Sequence, residues 1–459
     1  MEAVIAQISQ RCCELVEKDD KFGAGKKFVK FEIDPAKSGT DQFASAAIFG
    51  NVHFENEKSN SNSIGTGTSS VPVVIKTEPP FPKLREFFNS PLQFHNEILF
   101  YSRFLPFLST FLVEDKSSYF VNFLKGGTQD PVLLSYVMME NASKHGFRLS
   151  KSKQLLSLDH FLLAVKRLGR FHALSYIAKY QDRTTFDSLV TQIKETSWTD
   201  ERLATGVGDS DLIHSVTRAI RKFDNSEAKQ IVDGESHEIY QNKVNKLKEM
   251  IFDCPTRFMR EITAPKEPMA VLCHGDFCRN NILFKYSEQT NVSEASTPVD
   301  VIFFDLATIR YSSPAIDLSF FIYLNSNPEI RRHWDLILQN YHEGVRVNVE
   351  AYAERNKINV IEGKANFTSS SSGIFLPSLE DVHKEFIYHA IYGFMHCSFF
   401  LPAMMVDNPS EMFNEEVAGG DFWDVPEEVR HKVQEAMAGE EGTRALNDLV
   451  QHMFDMNFV

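Results

Sequence analysis

The sequence predicts an α+β fold in which the strands come first and the helices follow. Strand-like apolar runs, with one helix among them, occupy the chain before residue 140. From Leu158 onward apolar residues recur at helical spacing, interrupted by one predicted hairpin of Ile282–Tyr286 and Val299–Asp305. Such segregation is typical of α+β proteins. We therefore predict a β-rich N-terminal lobe of residues 1–139 and a mostly helical C-terminal lobe of residues 140–459.

The N-terminal lobe is predicted to begin with a helix and to continue as strands. Residues Met1–Asp20 carry apolar side chains at helical spacing, and Phe28–Phe54 contains short apolar stretches typical of strands. Val71–Lys76 is a β-branched run that predicts a strand ending on a lysine. Phe94–Leu105 has helical spacing, and Val132–Met139 is a further apolar run. This order predicts a small β-rich unit with a helix inserted between its strands.

The C-terminal lobe is predicted to be mostly helical, beginning with a helix over Leu158–Tyr180. One later stretch, Ala390–Val406, runs for 17 residues without Asp, Glu, Lys or Arg. A membrane-spanning helix needs about 18 or more such residues. This stretch also contains His396 and Pro402. We therefore predict a buried helix here and no contact with a membrane.

Composition excludes several classes of protein. The chain has 459 residues, of which 43% are hydrophobic and 24% charged, as in globular proteins. Its formal net charge of −14 argues against sequence-independent binding of nucleic acid, because such binding needs cationic side chains to displace phosphate counterions. The six cysteines form no C-x-x-C pair, so we expect reduced thiols and a cytoplasmic protein.

The most informative segment is Val271–Phe284, with the sequence VLCHGDFCRNNILF. It places Asn281 five residues after Asp276, in the pattern H-x-D-x-x-x-x-N. The kinase catalytic loop has this spacing, because phosphoryl transfer needs a carboxylate beside the attacking hydroxyl and an oxygen ligand for magnesium. A second metal-facing acid is expected at the end of a following strand, and Asp305 closes the apolar run 301–304.

An H-G-D tripeptide alone is more often part of a turn than of a catalytic site. The combination in this chain is far more specific. Its features follow one another in the order that kinase-type chemistry requires. They are an apolar strand, the tripeptide, the asparagine at a fixed offset, a hairpin and a strand-ending aspartate.

These motifs resemble those of the ecdysteroid kinase-like family, whose relatives include choline kinases and aminoglycoside phosphotransferases. The strongest matches are HGDFCRNNILF (274–284) and VDVIFFDLATIRYSSPAIDLSFFIYLN (299–325). Weaker matches are VVIKTEPP (73–80), FHNEILFYSRFLP (94–106), RLGRFHALSY (167–176) and IYGFMHCSFFLPAMMVD (391–407). The resemblance covers nearly the whole chain. It implies a bilobal, protein-kinase-like fold with ATP and Mg²⁺ as cofactors.

The resemblance also implies a role for each motif residue. Asp276 would be the catalytic base that orients and deprotonates the acceptor hydroxyl, and Asn281 and Asp305 would be magnesium ligands. Lys76 would contact the α- and β-phosphates, with Glu97, 21 residues later, as its ion-pair partner. Taken singly, the lysine and the glutamate are better interpreted as solvated charges. Their order ahead of the H-G-D motif favours the functional interpretation.

Other residues would support the site. Met139 and Asn141 lie in the segment that matches the hinge, where backbone groups would contact adenine. Asp317 is expected to hydrogen-bond the catalytic loop, and His274 to brace it. His172 is expected to pack in the large lobe, since helix positions flanked by apolar residues usually belong to the core.

The chain departs from the family pattern in three places, one of which is the hinge, where Met139-Glu140-Asn141 stands in place of a more acidic pattern. No G-x-G-x-x-G precedes Lys76, and Gly39–Gly50, with serine and small residues, takes the phosphate-loop position. Cys278 stands where relatives often have tryptophan. Because nothing supplies Cys278 with an obvious base, we predict a packing role and not a nucleophile.

The expected function is ATP-dependent phosphorylation of a hydroxyl group on a small molecule. The 39 phenylalanines weakly favour a large apolar pocket, and the resemblance implies an ecdysteroid alcohol or a lipophilic detoxification substrate. Choline-like and aminoglycoside-like acceptors stay open. So does a non-catalytic protein that binds a hormone or xenobiotic, although a degenerate binder has no reason to keep the three motif residues of the catalytic and metal sites. The sequence does not predict an oligomeric state.

Overall fold

A computed structural model describes most of the chain. The described residues are 2–34, 45–56, 68–79, 81–113, 119–152, 155–224, 234–287, 297–368, 372–406 and 425–459. Only the last part of the predicted phosphate-loop segment, residues 45–50, falls within these ranges.

The N-terminal lobe contains an antiparallel sheet of five strands in the order β1-β2-β3-β5-β4. The strands are β1 (Lys26–Ile33), β2 (Ala46–Asn56), β3 (Ser69–Thr77), β4 (Phe123–Asp130) and β5 (Leu134–Glu140). Val73 and Ile75 of β3 are fully buried, as the β-branched run predicts. Because side chains alternate along a strand, Val74 and Lys76 face the other side of the sheet, where both line a cavity.

Helix α1 (Glu2–Glu17) covers one face of this sheet, as its helical spacing predicts. Its buried side chains join those of the strands in a separate hydrophobic cluster that includes Ile8, Cys12, Leu15, Val16, Phe31, Val52, Val73 and Ile75. Arg11 fixes the helix to the end of β4, because its Nη2 lies 2.7 Å from Oδ2 of Asp130. The lobe therefore has a core of its own.

The helix predicted between the strands is present and longer than predicted. The helical segments are α2 (Pro82–Phe87), α3 (Ser90–Leu99), a π-helical turn (Phe100–Phe104) and α4 (Leu105–Ser109). In α3, Phe94, Asn96 and Glu97 are buried. This helix therefore carries polar side chains into the interior, next to β5 of the sheet.

The C-terminal lobe is mostly helical, as predicted. Its helices are α5 (Leu158–Gln181), α6 (Arg183–Val190), α7 (Asp200–Thr205), α8 (Asp209–Asp224), α9 (Gly234–Ile251), α10 (Pro255–Ile262), α11 (Ala315–Asn325), α12 (Pro328–Arg331), α13 (Trp334–Asn356), α14 (Leu379–Met404), α15 (Glu427–Ala436) and α16 (Gly439–Asp455). α5 packs on α13 and α11 packs on α14, and these pairs form much of the larger core.

Short strands position the motif segments of this lobe. They are β6 (Phe147–Arg148), β7 (Val271–Cys273), β8 (Ile282–Tyr286), β9 (Pro298–Phe303), β10 (Arg310–Ser312), β11 (Val360–Glu362) and β12 (Ile374–Leu376). The predicted hairpin is the pair β8–β9, but β9 ends at Phe303, two residues before the predicted end at Asp305. Since β7 pairs with β10, the segment after β7 lies beside the segment before β10.

The apolar stretch Ala390–Val406 belongs, up to Met404, to α14. Most of its side chains are buried, and the helix packs against α11 in the large core. The prediction of a buried helix is confirmed. None of the helices within the described ranges combines the length and the apolarity needed to cross a membrane.

Candidate active site

The loop after β7 carries the H-G-D motif and rests on Asp317 of α11. The Asp317 carboxylate accepts hydrogen bonds from the backbone amides of His274 (2.7 Å) and Gly275 (2.8 Å), which confirms its predicted contact with this loop. Gly275 has a φ of +86°, and a Cβ atom there would lie 1.9 Å from the carbonyl oxygen of Thr308. The loop therefore needs a glycine at this position.

Asp317 is itself held by a buried hydrogen-bond chain. His172 places Nε2 3.1 Å from the Asp317 carboxylate and Nδ1 3.0 Å from the Tyr341 hydroxyl. Burial lowers the pKa of His172 although Asp317 opposes this, so the imidazole stays neutral and bridges the two groups. His172, Cys273 and Asp317 lie close enough to hold a metal ion, but the thiol already donates to the Ser313 carbonyl (3.3 Å).

Two histidine predictions are therefore confirmed. His172 packs in the large core, fully buried. His274 braces the loop, because its Nε2 lies 2.9 Å from the carbonyl oxygen of Phe304.

Asp276 and Asn281 lie together at the end of the same loop. Nδ2 of Asn281 donates to the backbone oxygen and to Oδ2 of Asp276, both at 2.8 Å. Burial raises the pKa of Asp276, and the neighbouring Asp305 carboxylate raises it further. Because the amide nitrogen of Asn281 is used in this way, its side-chain oxygen is the atom that can bind a cation.

Asp305 connects this loop with the N-terminal lobe. It lies two residues beyond β9, and its carboxylate pairs with Nζ of Lys76 on β3. The same ammonium donates to Oε2 of Glu97 on α3 at 2.9 Å. The ion pair predicted between Lys76 and Glu97 is therefore present, and Asp305 completes a cluster of three charges.

This cluster carries one positive charge between two carboxylates. Burial lowers the pKa of Lys76, but the charges of Asp305 and Glu97 outweigh burial and raise it above its ordinary value. Burial raises the pKa of Glu97 to about 7. The charge of Lys76 acts to lower this pKa, and the charge of Asp305 acts to raise it. A further cation near Asp305 would balance the excess negative charge.

The residues predicted as magnesium ligands fit that ion. The Asn281 side-chain oxygen and the Asp305 carboxylate are hard oxygen donors of the kind that magnesium prefers. Both residues line the same cavity as Lys76 and Asp276. The structure therefore brings together all five motif residues, which are spread over more than 200 positions of the chain.

A cavity of about 1140 Å³ opens between the two lobes. The predicted hinge residues Met139 and Asn141 line it, next to Val74 and Ala47 of the sheet. The backbone amide of Asn141 already donates to the carbonyl of Pro72 at 2.8 Å. That amide is therefore already used within the sheet and is not free for a ligand in the cavity.

The other side of the cavity is aromatic and rich in methionine. Its lining includes Phe320, Tyr392, Met395, Phe399, Phe400 and Met404, from α11 and α14. The composition of the C-terminal half indicated phenylalanine and methionine side chains that could line a pocket, but not which of them do so. Trp198, Arg202 and His396 also line this wall, and sequence reasoning missed them as site residues. The available signal was His396, a polar residue within the long apolar stretch.

Cys278 lines the cavity beside Asp276. Burial raises the pKa of its thiol well above the ordinary value, and the Asp276 charge acts in the same direction. A protonated, buried thiol is a poor nucleophile, which agrees with the predicted packing role.

The chain has a β-rich lobe and a helical lobe, which meet at a lysine–glutamate pair, an H-x-D loop and an aspartate that follows a strand. This arrangement defines a kinase-like phosphotransferase fold. The sequence profile of the ecdysteroid kinase-like family matches residues 40–352, and the chain belongs to that family of small-molecule kinases.

Solved structures with a similar chain course include an ethanolamine kinase of Plasmodium vivax, at 11% identity and a TM-score of 0.35, over 93% of this chain and 86% of that chain. A macrolide 2′-phosphotransferase from Brachybacterium faecium is similar at 12% identity and a TM-score of 0.32, over 86% and 94% of the two chains. No curated protein matches the chain.

Proposed function

We propose that the protein transfers the γ-phosphoryl group of ATP to a hydroxyl group of a lipophilic small molecule, such as an ecdysteroid-type alcohol. The observation that carries this proposal is the meeting of Asp276, Asn281, Asp305, Lys76 and Glu97 at one cavity between the lobes. We also propose that the lobes divide at residues 1–139 and 140–459, with nucleotide held mainly by the first and acceptor by the second.

Asp276 would act on the acceptor hydroxyl. The Asn281 amide holds its carboxylate in place, so one oxygen keeps a fixed orientation toward the cavity. Its pKa is raised by burial and then by Asp305, which makes it a better proton acceptor than an exposed aspartate. The acceptor hydroxyl would donate to this carboxylate and lie in line with the γ-phosphorus. It would lose its proton to Asp276 as its oxygen bonds to the γ-phosphorus and the bond from that phosphorus to the departing ADP oxygen breaks.

Lys76 would hold the phosphates from the other lobe. Glu97 fixes its ammonium at 2.9 Å, and burial of both groups limits the positions that the ammonium can take. Asn281 and Asp305 would hold magnesium, which when bound neutralises charge on the phosphate oxygens. Met139 and Asn141 would flank the adenine at the hinge.

The acceptor class is supported by the apolar wall. Phenylalanine and methionine side chains of α11 and α14 offer a rigid hydrocarbon skeleton a large contact area. An aminoglycoside-like acceptor would instead need carboxylates along this wall, and a choline-like acceptor would need an acidic or aromatic cage around its ammonium group. A non-catalytic binder is the second candidate, but it would have no use for the arrangement around Asp276.

The test is phosphate transfer from labelled ATP and magnesium to a panel of ecdysteroids, plant-derived alcohols, choline and aminoglycosides. Asp276→Asn should lower the rate by about 10²–10⁴-fold while ATP binding persists, because the fold and the lysine site remain. Asp253→Asn, at a carboxylate whose side chain is 87% exposed, is the matched control and should retain full activity.

A product made by wild type and control but not by Asp276→Asn would establish the kinase and name its acceptor class. Equal product from Asp276→Asn and wild type would exclude Asp276 as the base. Nucleotide binding with no labelled product across the panel would favour the binder.

A further inference from the structure

One wall of the cavity is formed by four nitrogen-bearing side chains, which we call the donor wall: Trp198, Arg202, Arg310 and His396. The guanidinium of Arg202 lies 4.9 Å above the Trp198 ring. The rings of Trp198 and His396 have centroids 5.5 Å apart. Arg310 begins β10, and so lies close to the loop that holds the H-G-D motif.

Each residue of the donor wall has a buried nitrogen that lacks a hydrogen-bond partner among the described residues. These atoms are Nε1 of Trp198, Nε of Arg202, Nε of Arg310 and Nε2 of His396. Buried polar groups in native proteins are nearly always paired, and four unpaired groups around one cavity call for an explanation. Each of these nitrogens is itself inaccessible to solvent, so a ligand in the cavity can pair with one where its side chain turns toward the cavity.

The chemistry of these atoms selects the ligand group. An indole N–H and a guanidinium N–H only donate hydrogen bonds, so three of the four groups require an acceptor. Burial lowers the pKa of His396 to about 3, with Arg310 and Arg202 acting in the same direction. The imidazole is therefore neutral and has one nitrogen that donates and one that accepts.

The charge of the wall points the same way. Glu195, the nearest carboxylate of Arg310 at 3.3 Å, is already engaged by the backbone amides of Ser197 (2.8 Å) and Trp198 (2.9 Å). Asp211, which also lines the cavity, is bound by Arg430 at 2.9 Å.

Arg202 forms no ion pair with a carboxylate of the described residues, and its Nη1 bonds only weakly to the Ser197 carbonyl at 3.4 Å. Glu201 lies at the same wall but is exposed to solvent. The Arg202 guanidinium therefore keeps N–H groups that no carboxylate of the described residues accepts, although the charges of Asp209 and Asp211 act on it.

The geometry points to a specificity site for the acceptor: the donor wall binds a carbonyl or hydroxyl oxygen at a second position of the acceptor skeleton. This inference rests on the proposed function. Arg202 is half-buried, so its guanidinium can turn toward an oxygen in the cavity. The aromatic side chains next to the wall, Tyr392 and Phe320, pack on His396 with centroids 4.6 and 5.5 Å from its ring and would contact the skeleton beside that oxygen.

Equilibrium dialysis with two labelled steroids tests the inference. Dehydroepiandrosterone has one hydroxyl and one distant ketone, and its deoxy counterpart lacks only the ketone. Wild type should bind the ketone about tenfold or more tightly than the deoxy compound, since a hydrogen bond to a charged group has a net value of that order. Arg202→Met and Trp198→Phe should weaken binding of the ketone and leave binding of the deoxy compound unchanged.

Arg346→Met, at an arginine of α13 that is 40% exposed, is the matched control and should bind both steroids as wild type does. Equal binding of ketone and deoxy compound by wild type would overturn the inference. So would failure to bind either one, or a variant that weakens both equally.

Dialysis without nucleotide keeps this test separate from the proposed function. If the ketone preference is found but no acceptor is phosphorylated, the donor wall stands and the kinase proposal fails. If phosphorylation depends on Asp276 but the ketone binds no more tightly than the deoxy compound, the kinase proposal stands and the donor-wall inference fails.

Discussion

Asp305 shows at the scale of one residue how the site is assembled. Its φ of +62° lies in the left-handed region, which is uncommon for a residue with a side chain. Such a conformation costs about 1–3 kcal/mol and persists where the surroundings determine it. Here the compensation is the ion pair with Lys76 across the cleft. The sequence indicated an acid after a buried strand, but a strained backbone leaves no pattern in the sequence.

Gly275→Ala should disrupt the catalytic loop. The added Cβ would lie 1.9 Å from the Thr308 carbonyl oxygen, in a backbone conformation that disfavours alanine. We expect the free energy of unfolding to fall by about 3 kcal/mol, from strain and overpacking together. Urea denaturation measures this loss.

Gly25→Ala is the matched control for that substitution. Gly25 also has a positive φ, of +70°, but a Cβ atom there would meet nothing within 4 Å. It should therefore show the conformational strain without the collision. If both variants lose the same stability, contact with Thr308 does not constrain the loop.

Residues of the site differ in how far the sequence predicts them. Asp276 and Asn281 are found from a spacing of five, because a local motif fixes both the loop and its chemistry. Lys76 and Glu97 needed the resemblance, since a lysine at a strand end and a glutamate on a helix are ordinary surface residues. Residues of the donor wall come from three separate segments, and no local pattern connects Trp198 and Arg202 with Arg310 and His396.

At the scale of elements, prediction fails where packing overrides local preference. β4 was not predicted, because its sequence FLKGGTQD has two glycines and few β-branched residues. It is a strand because it pairs with β5 at the edge of the sheet. The π-helical turn after α3 was also not predicted. The spacing of apolar residues indicates a helix but does not separate an α-helical turn from a π-helical one.

The crossing of α5 and α13 depends on two glycines that face each other's helix. A Cβ on Gly344 would lie 2.1 Å from the carbonyl oxygen of Lys166, and one on Gly169 would lie 2.2 Å from that of Tyr341. Alanine favours an isolated helix by about 1 kcal/mol over glycine. We nevertheless expect Gly344→Ala to destabilise the protein by about 1–3 kcal/mol, because the helices must move apart.

Chemical denaturation shows directly whether Gly344→Ala raises or lowers the free energy of unfolding. Helix propensity and close packing predict opposite changes, so an unchanged or increased free energy of unfolding would show that the crossing has room for a methyl group. The crossing also affects the site, because Tyr341 of α13 holds His172 of α5 under Asp317. A lower rate of phosphate transfer should therefore accompany the loss of stability.

At the scale of the whole molecule, the sequence predicts two lobes but not how they meet. The small lobe has a core of its own between α1 and the strands, whereas side chains of its α3 and β5 join the larger core. The interface depends on contacts between distant residues. Asn96 of α3, next to Glu97, bonds through Nδ2 to the carbonyls of Lys194 (2.8 Å) and Ala307 (3.2 Å). These bonds tie the helix of the small lobe to the large one, and nothing local in the sequence predicts them.

Buried histidines should make the folded protein sensitive to mild acid. Burial lowers the pKa of His452 to about 4, and Arg331 acts in the same direction. The unfolded chain protonates this histidine below about pH 6.5, whereas the folded protein does not. Unfolding then takes up a proton, so the stability falls as the pH drops from 6.5 toward 4, by about 1.4 kcal/mol per pH unit.

Replacing His452 should remove this contribution. Between pH 6.5 and 5, His452→Met should lose about 2 kcal/mol less stability than wild type, measured by urea unfolding at constant ionic strength. The comparison cancels the opposing effect of Glu97, whose raised pKa stabilises the folded state as the pH falls through 7, because both proteins keep it. His333→Met, at an exposed histidine, should follow the wild-type curve. Parallel curves for His452→Met and wild type would mean that His452 accepts its proton as readily in the folded protein as in the unfolded chain.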